Sequence, residues 1–145
     1  MRVIGAKSVG RFSVEFEVAN NDDLAAVRLG VLQPDRVGRE KIKGVVDPGA
    51  SMLVLPLAVV KRLGLRLGDK TNVRYADGRR AQRQQAEGVY LELLGRHFTL
   101  NAVVEPKRDT ALIGAIVLEA LDLLVDSGRS RLIPRDPDGP IYEIE

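Results

Sequence analysis

Short runs in which apolar and polar residues alternate, each soon cut off by turn formers, constrain this chain more than any other feature of it. The clearest is Arg11 to Val18, where Phe12, Val14, Phe16 and Val18 alternate with Ser13, Glu15 and Glu17. A spacing of two puts the four apolar side chains on one face of a half-buried strand. Asn20-Asn21-Asp22-Asp23 reads as a turn, and Leu24 to Leu32 as the return strand. Gln33 to Lys41, with Pro34 and Gly38, reads as a loop before a short apolar strand from Ile42 to Val46. After a second apolar run, Met52 to Leu55, Pro56 suits the first turn of a helix that Gly64 would cap.

The second half repeats the pattern. Arg66 to Lys70 reads as a loop and Thr71 to Tyr75 as a strand. Asp77-Gly78 is a hairpin turn signal, and Arg79 to Glu87 a polar return strand broken at Gly88. Val89 to Leu94 and Arg96 to Val104 form a hairpin around Gly95. Leu112-Ile113-Gly114 is a short apolar element and Ile116 to Leu121 a helix. Asp122 to Val125 and Arg131 to Pro134 make a hairpin around Ser127-Gly128, and Ile141 to Glu145 reads as a last edge strand. The sum is mainly β with two short helices, a small barrel or sandwich. Hydrophobic residues make up 45% of the chain but aromatics only 4%, so Val, Leu, Ile and Ala must fill the core. No linker divides the 145 residues. One domain over 1–145 is expected, with its core at about 11–134 and a tail at 135–145.

Composition also removes whole chemistries. The chain has no cysteine, which excludes disulfides, thiol catalysis and Cys-ligated zinc. His97 is the only histidine, so a Ser-His-Asp triad would depend on it, and it is assigned no catalytic role. No metal and no cofactor is expected. Lys plus Arg exceed Asp plus Glu by 22 to 20, and the basic residues are scattered except for Arg79, Arg80 and Arg83. That patterning argues against nucleic acid as the partner. Met1-Arg2-Val3-Ile4 is not followed by the apolar run of a signal peptide, and no run is long enough to span a bilayer. A soluble, cytoplasmic protein with no membrane partner is expected.

The chemistry sits at Val45-Val46-Asp47-Pro48-Gly49-Ala50-Ser51-Met52-Leu53-Val54-Leu55-Pro56. An acid directly after a buried-looking strand is unusual, and Gly49 lets the backbone turn and bring an N–H towards the carboxylate. The same residues also make an ordinary Asp-Pro-Gly turn.

This stretch resembles the active-site signature of the aspartic peptidases. The order of the pieces from about Arg11 to Pro134 resembles the retropepsin-like family, retroviral-type and single-lobed, of prokaryotic type. The resemblance implies a closed β-barrel of the acid protease type, one lobe per chain. It implies Asp47 as the catalytic residue, on a loop of Pro48, Gly49, Ala50 and Ser51. It implies a flap from Val73 to Arg83, in which Tyr75, Ala76, Asp77, Gly78 and Arg79 cover the substrate, and a brace of Leu112, Ile113 and Gly114 beneath the loop. Read residue by residue, Tyr75 fits an ordinary strand aromatic better than a substrate cover and Asp77 a turn former better than a third carboxylate, while Ser51 is either a loop cap or a hydrogen-bonding group for substrate backbone.

The implied activity is an endopeptidase acting on peptides or proteins, in which two carboxylates share a proton and activate a water. One chain carries one such Asp, so the implied partner is a second copy. Asp126-Ser127-Gly128 echoes the first motif and offers an internal alternative, but only 19 residues follow it, too few for a second lobe. Pro48 departs from the family, which has Thr or Ser there. That hydroxyl and N–H form a reciprocal grip between paired loops, and proline has neither. A catalytically impaired domain for dimerisation or peptide binding is therefore the second reading.

Overall fold

Strand β1, Phe12–Asn20, turns Phe16 and Val18 inward and leaves Ser13 and Glu15 exposed, as the alternation requires. The computed structural model describes residues 11–145, so the first ten residues of the expected domain lie outside it. β1 pairs antiparallel with β2, Arg39–Val46, over a register that runs from Phe12 opposite Val46 to Ala19 opposite Arg39. The remaining strands are β3 (Leu53–Pro56), β4 (Arg66–Arg74), β5 (Arg80–Leu93), β6 (Arg96–Glu105), β7 (Ala111–Ile113), β8 (Leu123–Asp126) and β9 (Arg131–Pro134). Their hydrogen-bonded order is β1-β2-β7-β3-β6-β5-β4, and β1 also pairs with β5. That last pairing closes six strands into a barrel and leaves β4 as an extension on β5. β8 and β9 form a separate two-stranded sheet. Closure gives each of the six ring strands a neighbour on both sides for at least part of its length.

The barrel is filled by aliphatic side chains, as the shortage of aromatics requires. Val18, Val46, Leu53, Leu55, Leu91 and Ile113 are all fully buried. Helix α2, Leu57–Leu63, buries Val59, Val60 and Leu63 against this core and ends at Gly64 in the left-handed region. Helix α3, Ala115–Ala120, buries Val117 and Leu118.

Four expectations are corrected. Asn20 to Leu32 is not a turn and a return strand. Asn21–Arg28 is a third helix, α1, and Asn20 caps it by accepting from the Asp22 and Asp23 amides at 2.9 and 3.2 Å. Acidic Asp22 and Asp23 in the first turn and Arg28 in the last suit the helix dipole. The strand that returns beside β1 is β2, which starts inside the expected loop. Arg66 to Lys70 belongs to β4, with an irregular register between Leu67 and Lys70. Gly88 does not break the return strand: β5 runs through it with a register shift between Ala86 and Val89, and φ is +69° at Gly88. Glycine takes that conformation without strain, so it bends a long strand rather than ending it. Finally, Ile141 to Glu145 is not a strand. The chain from Arg135 folds back on α3, where the Ile141 amide donates to the Asp122 carboxylate at 3.0 Å and Arg135 pairs with the same carboxylate at 2.7 Å.

Candidate active site

β2 ends at the fully buried Val46, and the chain then leaves the barrel at Asp47. The Asp47 amide still donates to the Ile113 carbonyl at 3.0 Å, which pins the start of the loop to β7. The Ala50 amide donates to the Asp47 carbonyl at 3.0 Å, closing a four-residue turn with Pro48 at its second position. Proline favours that position because its φ is preset and no N–H is needed there. The Gly49 amide donates to Asp47 Oδ1 at 3.0 Å. Asp47 Oδ2 lies 3.4 Å from an Arg11 guanidinium nitrogen, and the two side chains are 22% and 42% exposed. The carboxylate is thus held from one side by the loop backbone and remains open to solvent, where a second group can reach it.

The brace is built from both ends of the loop. β7 lies between the strand that enters the loop and the strand that leaves it, with Ile113 opposite Val46 in β2 and opposite Leu53 in β3. Beyond β7, the Ala115 and Ile116 amides donate to the Ala50 and Ser51 carbonyls at 2.8 and 3.0 Å. Gly114 lies so close to the loop that a Cβ on it would stand 2.3 Å from the Met52 carbonyl oxygen. Only glycine allows that approach. Leu112, Ile113 and Gly114 are therefore brought under the loop of Asp47 to Ser51.

A cleft of about 530 Å³ opens between the loop and the β4–β5 hairpin. Gly49, Ala50, Ser51 and Met52 line one side, and Thr71 to Tyr75 another. Val54, Val103 and Leu112 contribute apolar surface, and Gln85, Glu105, Lys107 and Arg108 polar groups. Asp47 and Pro48 are not among the residues that line it in a single chain; the cleft begins at Gly49, which holds the Asp47 carboxylate.

The flap residues divide. The hairpin turn falls where Asp77-Gly78 signals it: the Tyr75 amide donates to the Arg79 carbonyl and the Gly78 amide to the Tyr75 carbonyl, both at 2.9 Å. Ala76, Asp77, Gly78 and Arg79 are exposed and do not line the cleft of one chain. Asp77 accepts from the Arg79 amide and pairs with its guanidinium at 2.8 Å, and that pairing holds its carboxyl below the usual range. Tyr75 alone of the five faces the cleft, and it is tethered. Its hydroxyl donates to Glu105, the Arg79 guanidinium carbon lies 4.6 Å from its ring centroid, and Arg83 lies at 5.8 Å. The hydrogen bond to Glu105 raises the Tyr75 phenol above its ordinary range. Glu105 also accepts from Arg83 at 3.0 Å.

Sequence reasoning missed most of the cleft wall, including Thr71, Glu105, Lys107 and Arg108. A signal existed in the flap arm, where Thr71, Val73 and Tyr75 alternate with Asn72 and Arg74. Asp126 is a hairpin residue at the end of β8, paired with Arg131 at 3.1 Å on the separate two-stranded sheet, and does not line the cleft. His97 is exposed and stacks on Tyr90 with ring centroids 5.4 Å apart. Among the described residues, no three His, Cys, Asp or Glu side chains are placed to hold a metal ion.

The family model described as "gag-polyprotein putative aspartyl protease" matches residues 36–120, more than half of the chain. The chain belongs to the retroviral-type aspartyl protease family. The matched segment contains the Asp47 loop, the flap hairpin, β7 and α3. Among solved structures, EIAV protease complexed with the inhibitor HBY-793 is similar, with a TM-score of 0.52 and 19% identity over 83% of this chain and 93% of that one. The retroviral protease-like domain of Ddi1 from Leishmania major is similar with a TM-score of 0.50 and 17% identity, over 72% of this chain and 86% of that one. At such identities these likenesses speak for the fold alone, and the fold is retropepsin-like. No curated protein matches the chain.

Proposed function

We propose that two copies of this chain pair about a twofold axis, so that two Asp47 side chains meet and hydrolyse peptide bonds through an activated water. The observation that carries this reading is the Asp47 loop itself. Its carboxylate is held by the Gly49 amide, its backbone is braced by β7 and α3, and it stands beside a cleft able to take an extended segment.

A lone aspartate is ionised at neutral pH and is a weak general acid. Two brought together cannot both ionise easily, so one holds a proton and serves as acid while the other serves as base. The base takes a proton from water, the water attacks the scissile carbonyl, and the acid protonates its oxygen. The resulting diol then returns a proton to the carboxylate that gave one, the C–N bond breaks, and the amine leaves with the proton taken from water. No protein nucleophile is needed, which suits a chain without cysteine and with its histidine at the surface. Arg11 beside each Asp47 offsets part of the repulsion as the two carboxylates approach. A twofold pairing makes one loop complementary to its own copy. The flap hairpin would offer backbone groups to an extended peptide as an added strand.

Pro48 favours a second reading, a domain that pairs and binds peptide with impaired catalysis. It offers neither the N–H nor the hydroxyl that would grip the partner loop, at roughly 0.5–1.5 kcal/mol for each lost hydrogen bond. One experiment separates the two readings. Light scattering gives the mass, and a peptide library tests cleavage by the parent, Asp47→Asn and Pro48→Thr. Under the first reading the parent cleaves, Asp47→Asn does not, and Pro48→Thr tightens the dimer by roughly 5- to 150-fold. Cleavage that survives in Asp47→Asn removes Asp47 from the mechanism. A dimer that binds peptide but cleaves nothing, even as Pro48→Thr, supports the second reading.

A further inference from the structure

The cleft carries charge that the peptidase reading does not use. Arg74 lies exposed at its rim on the flap arm, and Lys107 and Arg108 line it from the connection between β6 and β7. Among the described residues, none of the three is paired with a carboxylate. Arg108 donates only to neutral partners, the Thr110 carbonyl at 2.9 Å and the Thr110 hydroxyl at 3.5 Å. Glu105, the one carboxylate among the described residues that line the cleft, is already occupied. It accepts from the Tyr75 hydroxyl and pairs with Arg83 at 3.0 Å, and its side chain is only 13% exposed. Three cations therefore border a cleft floored by Val54, Val103 and Leu112, and among the described residues that line it no carboxylate is left free to match them.

We propose that this cleft selects extended peptides that carry Asp or Glu on both sides of the bond to be cut, read by Arg74, Lys107 and Arg108. The inference rests on the peptide-cleft reading above. The apolar floor takes aliphatic side chains, and the cationic wall takes the carboxylates between them. Twofold pairing would repeat the wall on both sides of the dyad, which is why acidic residues are expected on each side rather than on one. The same charges suit a nucleic acid less well. Single-stranded nucleic acid needs aromatic faces to stack on. Tyr75, the only aromatic among the described residues that line the cleft, has its ring beside Arg79 and its hydroxyl on Glu105.

The test uses the whole 145-residue chain carrying Asp47→Asn, so that binding is read without cleavage. Labelled peptides share one aliphatic frame and differ only in carrying Asp and Glu, Ser and Gln, or Lys and Arg at the flanking positions. Fluorescence anisotropy is measured at low and high salt, with a single-stranded oligonucleotide as competitor. The acidic peptide should bind about tenfold tighter than the neutral one, since several partly exposed ion pairs each contribute modestly. The preference should shrink at high salt. Arg74→Glu and Lys107→Glu, each checked by circular dichroism to be folded, should abolish or invert it. Equal binding of acidic and neutral peptides overturns this inference and leaves the peptidase reading intact. No binding of any peptide overturns both. An oligonucleotide that binds more tightly than the acidic peptide, and loses affinity in the same variants, replaces the peptide as the cleft's occupant.

Discussion

Replacing Gly114 by alanine would put a methyl carbon 2.3 Å from the Met52 carbonyl oxygen, 2.7 Å from the Ala50 carbonyl oxygen and 2.8 Å from the Met52 amide nitrogen. All three are backbone atoms of the loop that follows Asp47, so no rotamer change relieves the clash. Either the loop or β7 has to move. Overpacking of this kind costs about 1–3 kcal/mol. The Ala115–Ala50 and Ile116–Ser51 hydrogen bonds cross the same gap, and losing both adds about 0.5–1.5 kcal/mol each. The sum is about 2–6 kcal/mol, a large share of the stability of an ordinary domain. For a domain of this size the melting temperature should fall by roughly 5–20 °C. Thermal melts followed by circular dichroism, with urea titrations alongside, measure this directly. Gly128→Ala is the control, because a Cβ there meets nothing nearer than an Asp126 carboxylate oxygen at 3.8 Å, and its effect should stay within about 0.5 kcal/mol. If Gly114→Ala melts within about 1 °C of Gly128→Ala, the loop is not braced by β7 and the account of how Asp47 is held is wrong.

Three further outcomes can be measured on the same preparations. Asn20→Ala removes the α1 cap and the donor shared by the Leu63 and Gly64 carbonyls, both at 3.0 Å, and should cost about 2–4 kcal/mol in a urea titration. Arg96→Met leaves the Leu121, Asp122 and Asp136 carbonyls without the buried guanidinium that binds them; it should cost about 2–4 kcal/mol and make residues 135–142 more sensitive to protease. The Ile141 amide first, and Arg135 next, hold the Asp122 carboxyl below its ordinary range. A carboxyl lowered by folding stabilises the folded-back tail above the unfolded value of about 3.9 and loses that effect as pH falls through the folded value. Hydrogen exchange at Ile141 should therefore stay level from neutral pH down to about pH 5, once its intrinsic pH dependence is removed, and rise only below about pH 4. Asp122→Asn should remove the step, whereas protection lost between neutral pH and pH 5 would assign the tail to another group.

Much of this architecture was legible because local chemistry and tertiary structure agree there. Pro56 and Gly64 bracket α2, Asp77-Gly78 turns the flap, and Gly95 turns the β5–β6 hairpin. The Asp47 loop stood out because an acid follows two apolar residues. What could not be read depended on partners far along the chain. Asn20 suits a turn as well as a helix cap, and α1 is fixed partly by the bonds its side chain makes to Leu63 and Gly64. Gly88 looks like a strand end until β6 is seen to pair on both sides of it. Glu105 meets Arg83 and Tyr75 across 22 and 30 positions, and no periodicity marks such a triad. Ile141 has the residue type of a strand, but its amide goes to Asp122 instead of to a neighbouring strand.

The pairing of β1 with β5 also bears on the order in which the ring can be assembled. Glu17 lies opposite Glu92, and β7, which fits between β2 and β3, begins only at Ala111. Contacts between segments so distant along the chain are slow to form, because the intervening loops have to be closed first. Until Ala111 to Ile113 has left the ribosome, β2 and β3 each keep an open edge facing a gap one strand wide. The nascent chain is most exposed to pairing with a stranger at that stage, and two of the three residues that seal the gap, Leu112 and Ile113, also belong to the brace that later seats the loop of Asp47.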